Sequence, residues 1–182
     1  LFALPWLVVI LGVAGLVLDA GWAVYQARKA QTAVDSAAMA AISAARGLLA
    51  AGSRMTCGEH LQCAEAAPTC PATGNLKLAC DYAARNGFVN QGDSGRQTLL
   101  VESGLGSMPP GLSYLPSTSY WVQVTARHRT PAWFSSIFGA AGLTTGARAT
   151  ASIFKKAVAE SLYLLNRRDD CCFGEKQHDP GR

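Results

Sequence analysis

Six cysteines are the residues of this chain with the widest range of possible chemistry. Four of them crowd into one loop-rich segment and two stand side by side near the end of the chain, as Cys57, Cys63, Cys70, Cys80, Cys171 and Cys172. An even number of cysteines in such a segment favours disulfide bonds made in an oxidising compartment. All six are disulfide candidates, and their spacing leaves the connectivity open, because six cysteines can pair in many ways.

A zinc site is the first alternative use of these thiols. The gaps between the first four cysteines are five, six and nine residues, whereas paired zinc cysteines usually stand about two to four residues apart. His60 lies between two of them and is the residual candidate for a Cys/His metal cluster. The adjacent pair Cys171 and Cys172 could be redox active, but stapling the tail to two partners is the simpler interpretation. We expect disulfides, no metal and no cofactor.

The remaining polar residues give no catalytic pattern. No Ser or Cys nucleophile stands in a known motif with a base and an orienting acid, and no glycine-rich loop both follows a strand and opens a helix. His128 alternates with polar neighbours along a predicted strand, which predicts a solvent-facing ring. The net charge is +4 with scattered basic residues, so nucleic-acid binding is not indicated. We expect a protein that is not an enzyme; a Cys-based redox or metal enzyme is the remote alternative.

The element that must position everything else is the opening stretch, residues 1–18, which contains no ionisable side chain. As a helix it would be ~27 Å long, close to the thickness of the hydrocarbon core of a bilayer. An Ala-rich sequence follows, with no proline between Trp6 and Arg54, and alanine is the strongest helix former. The pattern predicts one helix over residues 1–50, a membrane span or filament core over 1–22 and an amphipathic half over 23–50.

Small residues recur along this predicted helix at helical spacing. Small side chains let helices approach closely in lipid or in a bundle, and Asp19 is the first charge after the apolar run. Packing of the second half on the chain's own domain and packing on identical helices are both open, and each can hold for a different half. The candidates for helix–helix assembly are Pro5, Gly12, Gly15, Asp19, Ala27, Ala30, Ala37 and Ala41.

The rest of the chain, residues 51–182, predicts one α+β globular domain. Proline and glycine punctuate a Cys-rich loop over residues 53–80, and alternating residues predict strands that pair antiparallel. The predicted elements are a short helix over 76–86 and strands over 97–103, 120–130 and 143–154, the last two joined by an aromatic turn over 131–138. The tail, residues 155–182, is compatible with helix or strand. The fold class is thus α+β, with a long N-terminal hydrophobic helix followed by a small disulfide-braced domain containing an antiparallel sheet.

The orientation of the domain rests on two opposing signals. Arg28 and Lys29 follow the apolar run, and the positive-inside rule would place that side in the cytoplasm. The cysteines lie on the same side and require an oxidising compartment for disulfides. We give the cysteines more weight and expect the domain to face outward.

The order of three stretches resembles the TadE/TadG-like family of Tad (Flp) pilus-assembly proteins. These stretches are FALPWLVVILGVAGLVLDAGWAVY, TAVDSAAMAA, and VQVTARHRTPAWFSSIFG followed by ARATASI. The resemblance implies a pilin-like structural subunit of a Tad/Flp-type extracellular filament that assembles through its N-terminal helix. The implied partners are copies of itself, other pilus-assembly proteins and the membrane, and the implied location is the bacterial inner membrane before assembly and the cell surface afterwards. The alternative is a membrane-anchored accessory protein, a minor pseudopilin.

Three departures from the family pattern matter. The family often places an arginine close after the equivalent of Asp19, but Gly21 is followed here by Trp22. An unpaired carboxylate at an apolar boundary is costly, so we expect Asp19 to find another partner, and a neighbouring chain is one candidate source. No acid precedes Asp19, although pilins usually carry a glutamate near the mature N-terminus. The metal site of the larger relatives is not carried over, because the string Asp93-Ser94-Gly95 does not fit it.

Overall fold

The computed structural model describes residues 3–50, 55–58, 61–63, 70–113, 120–139, 142–155 and 160–165. Helix α1, Ala3–Ala50, is continuous over 48 residues, and the predicted long helix is confirmed. Its apolar first half is largely exposed, whereas most of the core alanines come from its second half. The predictions for His60, Cys171 and Cys172 lie outside the described residues.

The sheet has four strands in the order β1-β2-β3-β4, each antiparallel to its neighbour. The strands are β1 Gln97–Leu105, β2 Tyr120–Thr130, β3 Leu143–Lys155 and β4 Glu160–Leu165. In the central pair, Tyr120 lies opposite Ile153 and Thr130 lies opposite Leu143. The three predicted strands are confirmed, as is the antiparallel pairing predicted for the two long ones, and the structure adds the pairing of β1 with β2. The ambiguous tail supplies a fourth strand, and residues 166–182 lie outside the described part.

The core lies where α1 and helix α2, Asn75–Arg85, pack against the sheet. Alanine allows this close approach, because a methyl side chain keeps the helix backbone near its neighbours. The fully buried residues of α1, most of them alanine, are Ala30, Ala33, Val34, Ala37, Ala41, Ile42 and Ala45. They meet larger apolar side chains of α2, of the segment after α2 and of the strands, including Leu76, Phe88, Val122 and Val124. Of the two interpretations of the second half of α1, the structure shows packing on the chain's own domain.

Strand β2 is buried on both faces between Tyr120 and Ala126. The loop after β1 covers the face away from the helices, where Trp121 Nε1 donates a hydrogen bond to the Ser107 carbonyl at 2.9 Å. Gln123 Nε2 likewise donates to the Pro110 carbonyl at 3.0 Å. The alternating sequence therefore marks the strand, and loop carbonyls accept the hydrogen bonds that Trp121 and Gln123 donate from its second face.

The predicted solvent-facing position of His128 is wrong. Its ring is 4% exposed, and Nε2 lies 2.7 Å from Asp93 Oδ2. The segment before β1 folds back over the ring, and the same carboxylate accepts a hydrogen bond from Arg96 Nη2 at 2.7 Å. The hydrogen bond from Arg96 and that from His128 lower the pKa of Asp93. The turn that buries the histidine belongs to a distant part of the sequence. The alternation of residues along β2 therefore does not indicate this burial.

Two disulfides connect the loop region, Cys57 with Cys63 and Cys70 with Cys80. The disulfide-braced α+β domain is therefore confirmed. The second bridge ties the loop to α2, since Cys80 belongs to that helix. Each cross-link lowers the conformational entropy of the unfolded chain and so stabilises the folded loop, by about 2–3 kcal/mol for loops this short.

Tyr120 joins the first disulfide loop to the sheet. Its hydroxyl donates to the Gln62 carbonyl at 2.6 Å and accepts from Asn75 Nδ2 at 2.7 Å. The backbone N–H of Gln62 donates in turn to Asn75 Oδ1 at 3.0 Å. Ser103 Oγ donates to the backbone carbonyl of Gln62 at 2.9 Å. Burial raises the pKa of Tyr120 to about 12. This network positions a segment that has no regular secondary structure of its own.

Candidate functional site at the helix–loop junction

The loop between β2 and β3 reaches back to the apolar half of α1 and is held there by Asp19. The carboxylate accepts hydrogen bonds from the backbone N–H groups of Trp133 at 3.3 Å, Phe134 at 3.0 Å and Ser135 at 2.7 Å, and from Ser135 Oγ at 2.7 Å. These N–H groups precede or begin the short 3-10 helix Ser135–Phe138, where backbone donors lack partners within the helix. The carboxylate therefore acts as a cap supplied from a distant part of the chain.

Asp19 does find another partner, as expected, but within its own chain and not on a neighbouring one. Its partners are backbone donors of its own chain, and no arginine is required to satisfy the carboxylate. Hydrogen bonds to an ionised acceptor are stronger than neutral ones, so four of them offset much of the cost of placing a charge beside an apolar surface. The isolated acid in the sequence indicated that Asp19 needs a partner. The sequence did not indicate that the β2–β3 loop supplies it.

Gly15, one turn before Asp19, provides the space for the loop. A Cβ atom at Gly15 would lie 2.7 Å from both Cβ and Cγ of Phe134, too close for any real contact. Glycine is therefore required here by the approach of the phenyl ring. Gly12 differs, since a Cβ atom there would meet nothing within 4 Å.

The junction leaves a large apolar surface open. Trp133, Phe134 and Ile137 of the loop are 70%, 43% and 79% exposed. The neighbouring part of α1 is also exposed over most of its large side chains, which are Val9, Ile10, Leu11, Val13, Leu16, Val17 and Leu18. Soluble monomers rarely expose apolar patches of this extent. Such a surface is typical of a site that contacts a partner or lipid.

A basic groove of about 1070 Å³ lies beyond the junction, between α1 and strands β2 and β3. Arg28, Arg127 and Arg148 line it, and all three are exposed. None of them forms an ion pair with a carboxylate within the described part of the chain. The positive charge of this groove is therefore open to external anions.

The structure distributes the eight assembly candidates between several environments. Ala30, Ala37 and Ala41 are fully buried in the chain's own core, and Gly15 and Asp19 are occupied by the loop. Ala27 is half-buried at the basic groove. Gly12 remains open to a neighbour, and the side chain of Pro5 lies outside the described residues. A role between subunits for the buried positions stays a prediction, and it would require the domain to leave the helix.

The family comparison concerns the N-terminal helix and the two residues after it. Residues 1–52 match a family described as putative Flp pilus-assembly TadE/G-like. The chain carries a TadE/G-like segment. This TadE/G-like match includes the first two stretches that carry the resemblance, whereas the paired strands around the aromatic turn lie beyond it. Neither the search of curated proteins nor that of solved structures found a match.

The TadE/G-like segment is also the membrane candidate. Among the described residues, α1 is the one helix long and apolar enough to cross a membrane. Its most apolar described stretch of 18 residues has a mean hydropathy of 1.5, and 11% of that stretch is buried. A helix from the core of a soluble protein would be mostly buried. Low burial and the family match together fit membrane anchoring and a pilus-related role.

The described residues give little support for metal binding or thiol chemistry at the cysteines and histidines. No group of three or more His, Cys, Asp or Glu side chains there is arranged to hold a metal ion. Cys57, Cys63, Cys70 and Cys80 are consumed by disulfides. The remote redox or metal alternative gains no support from these four thiols.

Asp19→Ala is expected to release the loop from α1, because it removes the acceptor of three backbone N–H groups. Gly15→Ala should act in the same direction by displacing Phe134, even though alanine favours the helix itself. Hydrogen exchange of the amides of residues 133–135, measured by mass spectrometry in detergent micelles, should become about tenfold faster or more, as expected for loss of bonds to a charged acceptor.

Gly12→Ala is the matched control, since the same added methyl group meets open space. It should leave exchange in the loop unchanged. Unchanged loop protection in both Asp19→Ala and Gly15→Ala would show that other contacts hold the loop, and would contradict the capping role of the carboxylate.

Proposed function

We propose that this chain is a structural, pilin-like subunit of a Tad/Flp-type extracellular filament. The chain is held in the inner membrane by residues 1–22 and then assembles through the same helix into a filament, with the disulfide-braced domain facing outward. The observation that carries the proposal is the division of α1. Its first half is apolar and exposed up to Leu18, and its second half is buried against its own domain from Ala30 onward.

Physical reasoning supports the use of one surface in two settings. Lipid tails and the apolar flank of another helix are similar environments, so transfer from membrane to helix bundle involves little change in hydrophobic free energy. Because the domain occupies the second half of α1, neighbouring copies would meet along the first half. Gly12 is one of the small residues that remain available for close approach there.

A photoreactive amino acid at Val13 tests this directly. Val13 is 56% exposed in the apolar half of α1, and Val89, 51% exposed in the domain, is the matched control position. In filaments sheared from cells that produce the chain, irradiation should yield covalent dimers and higher multimers from the Val13 variant only. Electron cryo-microscopy of the same filaments should then show a helix of ~70 Å, as 48 residues require.

The second candidate is a membrane-anchored accessory protein of the assembly machinery. It is favoured by the occupation of Gly15 and Asp19 within the chain, which reduces the small-residue surface left for self-packing. In that case the Val13 variant would cross-link to proteins of other masses in the membrane fraction, and sheared filaments would lack the chain. That result would overturn the subunit proposal.

A further inference from the structure

The aromatic loop lies at the level of the helix where the apolar run ends. Phe134 packs on Gly15, three residues before Leu18, and its backbone N–H is bound to Asp19. At ~1.5 Å per residue, Gly15 lies about 5 Å inside the end of the apolar segment. If residues 1–18 occupy the hydrocarbon core, the phenyl ring is at or below the boundary with the headgroups.

The exposed side chains at this level are apolar on both elements. Trp133 and Ile137 are 70% and 79% exposed on the loop, and Val17 and Leu18 are 65% and 61% exposed on the helix. The apolar surface of the loop therefore lies at the same height as exposed apolar side chains of the membrane candidate helix. Tryptophan is also a residue that favours the membrane–water interface, because its ring is apolar while its N–H can remain hydrated.

Arginines lie on the strand that leads into the loop. Arg129 is one residue and Arg127 three residues from the end of β2 at Thr130, so they lie roughly 3 and 10 Å from that end of the sheet. Both are exposed, and neither forms an ion pair within the described residues. A headgroup layer extends about 5–7 Å beyond the hydrocarbon core on each side. Arg129 falls within this layer, and Arg127 starts just beyond it and reaches the lipid phosphates with its long side chain.

We propose that the β2–β3 loop is a second membrane-contacting element, which inserts Trp133, Phe134 and Ile137 at the headgroup–hydrocarbon boundary of an anionic phospholipid bilayer while Arg127 and Arg129 bind lipid phosphates. Asp19 and Gly15 fix this loop to the end of the span, so the domain meets the bilayer at two points. The inference depends on α1 spanning a membrane and is independent of filament assembly.

Two contact points have a mechanical consequence. A domain attached only through one helix can tilt over the bilayer, whereas a loop inserted beside the helix restricts that tilt. Extraction of the helix from the membrane would withdraw the loop at the same time, because the Asp19 hydrogen bonds connect them. The same apolar loop would then accompany the helix into any later assembly.

Depth-dependent fluorescence quenching tests the proposal on the full chain. The reporter variant carries Trp6→Phe and Trp22→Phe, which leaves Trp133 and the buried Trp121; its matched control carries Trp133→Phe in addition. Both are reconstituted into vesicles of phosphatidylcholine and phosphatidylglycerol in which a fraction of the lipid is brominated at a shallow or a deep acyl position. The difference between the two variants is the signal of Trp133.

We expect shallow bromines to quench Trp133 strongly and deep bromines to quench it less. We also expect brominated phosphatidylglycerol to quench it more than brominated phosphatidylcholine does. The pair Arg127→Gln and Arg129→Gln should abolish the preference for the anionic lipid while depth stays unchanged. A variant that retains only Trp6 and Trp121 checks the span itself, because Trp6 should be quenched by lipid bromines.

Three results would overturn the proposal, each for a different reason. Quenching of Trp6 without quenching of Trp133 would leave the span intact and place the loop outside the bilayer. Absence of quenching at both positions would remove the span on which the inference depends. A Trp133 signal that escapes bromine quenching and changes only when more protein is packed into each vesicle would assign the loop surface to a second copy of the chain.

Discussion

Ala37→Leu is expected to lower the free energy of unfolding by about 1–3 kcal/mol, the usual cost of overpacking a core. Ala37 is fully buried between α1 and the domain, so three additional carbon atoms must push the helix away from its neighbours. The loss should appear as a lower midpoint in denaturant unfolding of the purified protein in detergent micelles. The slope of the transition should stay constant if only stability changes.

Ala50→Leu is the control, because Ala50 is exposed at the end of the same helix. It should leave the midpoint nearly unchanged. If Ala37→Leu also leaves the midpoint unchanged while it prevents the multimers expected from the Val13 variant, then the alanine face packs on other copies and not on the chain's own domain. The prediction thereby distinguishes the two uses of the second half of α1.

Tyr120→Phe is expected to cost about 1–3 kcal/mol of stability, because it leaves a buried donor of Asn75 without an acceptor. The hydroxyl also holds the Gln62 carbonyl, so the loop closed by Cys57 and Cys63 should loosen. Denaturant unfolding measures the loss of stability, and hydrogen exchange of residues 61–63 measures the loosening. Tyr25→Phe, at a tyrosine that is 55% exposed, is the matched control.

The pH dependence of stability checks the same contact. Because the pKa of Tyr120 is raised to about 12 in the folded protein from an ordinary value of 10.0, the folded state retains its proton where the unfolded state has lost it. The contribution of this pKa difference to the free energy of unfolding is complete below pH 10. It is lost progressively as pH rises towards 12. Tyr120→Phe should lose less stability over this interval than the wild-type chain, and equal losses would contradict burial of the hydroxyl.

The alanine stripe shows how one pattern permits two assemblies. Small residues at helical spacing indicate close packing, but the pattern contains no information about what packs there. In the structure the sheet and α2 occupy the stripe from Ala30 to Ala45. The open apolar surface lies instead towards the N-terminus, where larger residues such as Val13 and Val17 dominate. The contact between copies that we propose therefore falls in that half.

Local sequence patterns determined most of the secondary structure. Eighteen residues without a charge and a long Ala-rich continuation require a helix that no small domain can bury entirely. Alternation over Tyr120–Thr130 and Leu143–Lys155 with a glycine-closed turn between them determined an antiparallel pair. These features depend on residues a few positions apart, whose periodicity the sequence displays directly.

The tertiary structure alone decided which distant residues meet. Asp19 and Ser135 are separated by 116 positions, and nothing in the spacing of either segment names the other. The burial of His128 by Asp93, the pairing of four cysteines and the covering of both faces of β2 have the same origin. Periodicity indicates which side of an element is apolar, but the partner of that side depends on how all elements pack together. The candidate site at the helix–loop junction is therefore a property of the fold, whereas the helix that carries it is a property of the sequence.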